Sequence, residues 1–211
     1  MNEQYKVQVQ NLVDDLKAVF THAGLGGEAG EYKLLTQSFL YKFLNDKFLY
    51  EAQNVDSENT YEHLVSMSEE DYDWLLEDIG TSTAWMKPNQ FIETLHRKQN
   101  ESDFYETFEN TLNQIAIDNN DIFSVHTDEN TTVRLFNERL ITDIIPDSSK
   151  RNEVAKSIIN LLARVKFDEA IFSQGFDFFS TLFEYMIKDY NKDGGGKYAE
   201  YYTPHSVAKI I

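Results

Sequence analysis

The sequence predicts a mainly α fold, a multi-helix domain over residues 1–190 followed by a glycine-rich hinge and the start of a second domain over 191–211. Three observations carry the helical part. Apolar residues recur at helical spacing in several separate segments. One long segment near the N-terminus is apolar almost all round, as a buried helix is. Glycine, proline and capping residues punctuate the segments where helices start and stop. With 211 residues, 41% hydrophobic and 14% aromatic, the chain has material for one good-sized core, or one plus a fragment.

Residues 4–22 place Val9, Leu12, Val13, Leu16, Val19 and Phe20 on one helical face, and the glycine-rich 23–30 stretch ends that helix. Gly24-x-Gly26-x-x-Ala29 imitates a dinucleotide fingerprint, but a helix precedes it where the fingerprint needs a strand, so it reads as a loop. Residues 31–51 form the all-round apolar helix, with Leu34, Leu35, Phe39, Phe43 and Phe48 as core packing. Ser68 with Asp71 is a capping pair that opens a helix over 69–79. Residues 84–88 read as an extended lead into a helix that runs through Lys98. Ser102 caps a helix to about Ala116, with Phe104, Phe108, Leu112 and Ile115 on its face. Residues 127–132 are polar and turn-like. Leu135, Leu140, Ile141, Ile144 and Ile145 mark a short helix stopped by Pro146, and residues 150–164 a longer amphipathic one with Val154, Ile158, Leu161 and Leu162. A last helix is expected over 177–190.

Composition and motifs exclude several functions. There is no cysteine, hence no disulfide and no thiolate zinc site. No apolar run approaches membrane-spanning length and the N-terminus is no signal peptide, so no membrane association and a soluble, cytoplasmic protein are predicted. The five histidines show no zinc-hydrolase spacing, and Gly195-Gly-Lys197 lacks the strand and the hydroxyl residue of a phosphate loop. Glu69-Glu70 and Glu77-Asp78 read as solvated helix faces. Against 19 basic residues stand 36 acidic ones, net −17, so this piece does not supply the main contact to a phosphate backbone. No catalytic and no metal-ligating residue is assigned.

After the hinge, Tyr201-Tyr202-Thr203-Pro204-x-x-Val207 starts a helix: Thr203 can cap it and Pro204 suits its first turn. One short turn cannot stand alone, so the chain reads as cut at the threshold of another domain. This segment is similar to the Phe/Tyr-Tyr-Thr-Pro-x-x-Val segment that opens the catalytic domain of N6-adenine DNA methyltransferases. It looks closest to the modification subunit of type I restriction–modification systems. Glu31-Tyr-Lys33 with the helix through Phe48, the passage from Leu112 to His126, and Asp177 to Tyr190 resemble further segments of that family, in the same order. The resemblance implies a following α/β methyltransferase domain, missing here, that uses S-adenosyl-L-methionine. Tyr201, Tyr202, Thr203 and Pro204 would be cofactor-side contacts. The implied partners are a specificity subunit, a second modification subunit, a restriction subunit and, through the complex, double-stranded DNA. The family's Asn/Asp-Pro-Pro-Tyr/Phe segment and its cofactor loop do not occur before Ile211, so the chain alone is expected to be inactive. A single-chain restriction–methylation enzyme with the same methyltransferase half is a further possibility.

A rival motif overlaps the hinge. Asp189-x-Asn191-x-Asp193-Gly194 with Glu200 matches the spacing of an EF-hand calcium loop. Lys197 beside the would-be metal, Gly196 at the bridging position and Pro204 in the exit helix all oppose it. A solvated hinge is the preferred reading. The alternative is a stand-alone acidic protein-interaction module, with Asp189 to Glu200 as its candidate calcium loop.

Overall fold

The computed structural model describes residues 3–27, 29–120, 125–126, 132–133 and 135–172. It is mainly helical. In order come α1 (Glu3–His22), α2 (Ala29–Val55), α3 (Tyr61–Ser66), α4 (Glu69–Ile79), a 3-10 turn (Pro88–Gln90), α5 (Ile92–Lys98) and α6 (Phe104–Asp118). Two-residue strands β1 (Val125–His126) and β2 (Thr132–Val133) pair antiparallel, Val125 opposite Val133. Then follow α7 (Leu140–Ile144), α8 (Ser148–Arg164) and α9 (Glu169–Phe172).

Two helices organise the rest. α2 buries residues on every side, among them Leu34, Leu35, Phe39, Tyr41, Leu44 and Phe48, which is why its apolar residues show no single stripe. α8 keeps one apolar face, Val154, Ala155, Ile158, Ile159 and Leu162, and meets α1, α2, α5, α6 and α7 along it. Aromatic edges lock the centre. Tyr41 of α2 lies edge-on to Phe108 of α6 with centroids 6.1 Å apart, and Phe48 packs on Phe91 at 5.7 Å. The glycine loop before α2 is built as predicted: Gly24 and Gly27 adopt φ of +96° and +75°, which favour glycine, and Glu31 accepts the Gly27 N–H at 2.6 Å.

α4 starts where its capping pair predicts. Ser68 Oγ accepts the Asp71 N–H at 3.1 Å and donates to the Asp71 carboxylate at 2.6 Å. Two starts differ from expectation. Pro88 opens a single 3-10 turn, Phe91 returns to extended backbone, and the helix begins only at Ile92. The Gln90 side chain takes the Lys87 N–H at 2.7 Å, and Asn45 of α2 takes the Ile92 N–H at 2.9 Å, so α5 is capped from another helix. Likewise Ser102 does not cap α6. Asp103 sits in the left-handed region at φ 55°, the helix starts at Phe104, and Asn152 of α8 receives the Tyr105 N–H at 3.0 Å. α6 ends at Asp118 rather than Ala116, because Asn119 closes it. Its amide donates to the Ile115 carbonyl at 2.9 Å and clasps the Trp85 backbone N–H at 2.6 Å. α3, capped by Thr60, has no counterpart in the sequence reading. The expected 177–190 helix and the boundary at residue 190 lie outside the described residues, as does all but Thr132 of the 127–132 turn. No helix among the described residues is long and apolar enough to cross a membrane.

Candidate functional site

The residues that the sequence singles out for cofactor contact, Tyr201, Tyr202, Thr203 and Pro204, lie outside the described residues, and so does the Asp189 to Glu200 loop. Within the described residues the most built site is a cleft of about 480 Å³ between α2, α3, the start of α5 and residues 163–169.

Its floor is polar and buried. Lys42, Asn45 and Asp46 of α2 are 3%, 3% and 6% exposed. One helical turn places the Lys42 ammonium on both oxygens of Asp46, at 3.0 and 2.8 Å. The same carboxylate accepts Asn45 Nδ2 at 2.7 Å and the Phe167 backbone N–H at 2.7 Å. Asn45 in turn holds the Ile92 N–H, so one short polar chain ties α2 to α5 and to the segment after α8. Burial pulls the Lys42 ammonium below its ordinary 10.5. The Asp46 carboxylate opposes that shift, and nearby Lys166 adds to it. A lysine with a lowered pKa invites a nucleophilic reading. Lys42 does not support one, because both oxygens of Asp46 hold its ammonium and the surface hardly reaches it.

The walls and rim are of a different chemistry. Leu49, Tyr50, Tyr61 and Phe91 line the sides, with Tyr61 edge-on to Phe91 at 6.2 Å and its hydroxyl 3.0 Å from Thr94 Oγ1. Glu62, Glu93, Asp168 and Glu169 edge the opening. Beside them Arg97 lies over the Tyr61 ring, 4.8 Å from its centroid, with Nε 3.1 Å from Glu93 and a terminal nitrogen 3.6 Å from Glu62.

Two further cavities are structural. One, of about 470 Å³, lies between α1 and α8 along Ala18, Val19, His22 and Val154. The other, of about 340 Å³, surrounds a clamp on α7. There Glu109 accepts the Thr142 N–H at 2.6 Å and its hydroxyl at 2.9 Å, while Arg151 Nε donates to the Ile145 carbonyl at 2.9 Å. The acids Glu69, Glu70, Glu77 and Asp78 are exposed on α4, as solvated-face residues should be.

Sequence reasoning missed the cleft. The local signs were two acid–base pairs four residues apart in α2, Lys42 with Asp46 and Lys47 with Glu51, and spacing does not tell the buried pair from the half-buried one. A buried charged pair must find partners in the fold. Comparison with family models, with curated proteins and with solved structures finds no match to this chain.

Proposed function

We propose that this chain is the N-terminal helical part of the modification subunit of a type I restriction–modification system, ending just inside its methyltransferase domain. The observation that carries the reading is the Tyr201-Tyr202-Thr203-Pro204-x-x-Val207 segment after a helical region. Three further segments resembling the family, in the family's order, support it. The mainly helical fold of the described residues is in keeping with it.

In this reading the intact parent transfers a methyl group from S-adenosyl-L-methionine to the exocyclic N6 of adenine, in a base taken out of the duplex stack. Tyr201 to Pro204 belong on the cofactor side of that site. The helical domain docks on the specificity subunit and closes around DNA bound by the complex. A net charge of −17 suits protein contacts better than phosphate contacts.

The test is a tritiated-methyl assay on unmethylated duplex, with this chain and with the protein encoded by the gene continued past the codon for Ile211. The longer protein incorporates label, its Tyr202→Ala variant loses at least about tenfold, a change worth about 1.4 kcal/mol, and this chain stays at blank. Label incorporated by the chain alone, or a continued gene without a cofactor loop and an Asn/Asp-Pro-Pro-Tyr/Phe segment, overturns the reading. The second reading, an acidic interaction module, is favoured by the charge and by the Asp189-x-Asn191-x-Asp193 spacing. A calcium-dependent rise in melting temperature, absent in Asp189→Ala, would support it.

A further inference from the structure

We propose that the cleft between α2, α3, α5 and residues 163–169 receives an arginine side chain of a basic partner polypeptide. The proposal stands apart from the methyltransferase reading, because it uses only residues of the helical domain.

Charge comes first. Five carboxylates line the cleft against two lysines. Lys42 and Asp46 cancel each other on the floor, which leaves Glu62, Glu93, Asp168 and Glu169 against Lys166, with Arg97 beside Glu62 and Glu93 at the rim. The opening is therefore negative, and the whole chain adds a long-range field of the same sign. A phosphate or carboxylate ligand would be repelled, whereas a cation is drawn in.

Shape and chemistry narrow the cation. The side walls are aromatic, Tyr61 and Tyr50, the latter already holding Lys47 at 5.2 Å from its ring centroid and Phe172 at 5.3 Å, and the cavity of about 480 Å³ has room for an extended side chain and the backbone that carries it. A planar guanidinium stacks on a ring face and fits carboxylates through paired N–H donors, which a compact ammonium does less well.

The molecule itself performs this recognition at the rim. Arg97 lies over Tyr61 and bridges Glu93 and Glu62, while its own side chain remains 57% exposed. An incoming arginine meets the same ring and the same carboxylates from the cleft side. Arg97 is thus an internal competitor for the site.

That competition supplies the test. The isotope-labelled 211-residue chain is titrated with hexaarginine at 150 mM salt, and backbone amide shifts are followed by NMR. Shifts centre on residues 45–53, 61–62, 91–93 and 165–169. Arg97→Ala tightens binding at least about threefold, the size of one exposed cation–π contact. Arg139→Ala, which removes the same charge from an exposed position paired with Asp143, changes affinity by less than about half that factor. Hexalysine binds more weakly than hexaarginine. Shifts centred on the acidic face of α4, equal effects of the two arginine substitutions, equal binding of hexalysine, or no binding at all would each overturn the proposal. Both substituted arginines are more than half exposed, so the variants keep the fold.

Discussion

Asp46 accepts hydrogen bonds from Lys42, Asn45 and the Phe167 backbone, and it is nearly inaccessible to water. Its value lies in what its loss would strand. Asp46→Ala would leave a buried ammonium, a backbone N–H and an amide donor without their acceptor, and breaking a buried pair on one side costs about 3–5 kcal/mol. Replacing both charges at once, Lys42→Met with Asp46→Leu, removes the buried ammonium and costs much less, because no stranded charge remains. Urea melts of the two variants measure the difference. Equal losses would show that the stranded ammonium costs little and that the loss comes from the other hydrogen bonds to Asp46. The tie to Phe167 also fixes where the chain leaves α8, since Phe172 a few residues later packs on Phe43 and Tyr50 of α2, the helix that carries Asp46.

Several helices borrow their ends from neighbours. Asn45 caps α5, Asn152 caps α6, and Glu109 with Arg151 holds both ends of α7. A borrowed cap makes a short helix dependent on the packing that brings the donor near, which suits elements too short to be stable alone. Close approach is a second device of the same scale. A Cβ on Gly30, in the first turn of α2, would lie 2.7 Å from Ile144 Cγ2 of α7. Alanine normally gains about 1 kcal/mol over glycine in a helix, but here the clash outweighs that gain. Gly30→Ala is therefore expected to destabilise the protein by about 1–2 kcal/mol, the cost of modest overpacking. In an Ile144→Ala background the same change should become neutral or stabilising, and a double-mutant cycle by thermal melting shows it. Unchanged destabilisation in that background would place the strain elsewhere.

Across the whole molecule, pH acts through buried tyrosines as well as through net charge. The Tyr41 hydroxyl donates to the Gln90 carbonyl at 2.6 Å and the Tyr72 hydroxyl to the Met86 carbonyl at 2.7 Å. Burial raises both above the ordinary 10.0. The folded chain then keeps protons that the unfolded chain releases above pH 10. The stability they contribute is complete below that pH and is lost as pH rises, at about 1.4 kcal/mol per unit for each group still protonated. Lys42 works in the opposite sense. Its lowered pKa adds stability as pH rises towards the unfolded value of 10.5 and nothing beyond it. Urea midpoints should therefore be level near neutrality and fall steeply above about pH 10, faster still because an already acidic chain repels itself. Tyr72→Phe should fall less steeply. A parallel fall would mean that Tyr72 ionises in place within the folded protein.

The sequence by itself determined the helical class, the central place of α2, the glycine loop and the start of α4. Each of these depends on local facts: apolar spacing, a positive φ, or a cap three residues from its partner. Pro88 and Ser102 misled for a related reason. The local signals for a helix start were present, but Asn45 and Asn152, 47 residues away in each case, supplied the competing bonds that moved the starts to Ile92 and Phe104. Only the tertiary structure decided the cleft. Its floor, walls and rim come from stretches up to 121 residues apart, joined at the Asp46 to Phe167 bond, and residue spacing carries no record of such a meeting. Burial then gives Lys42 and Asp46 their chemistry, because desolvation makes a charge costly unless its partner is already in place.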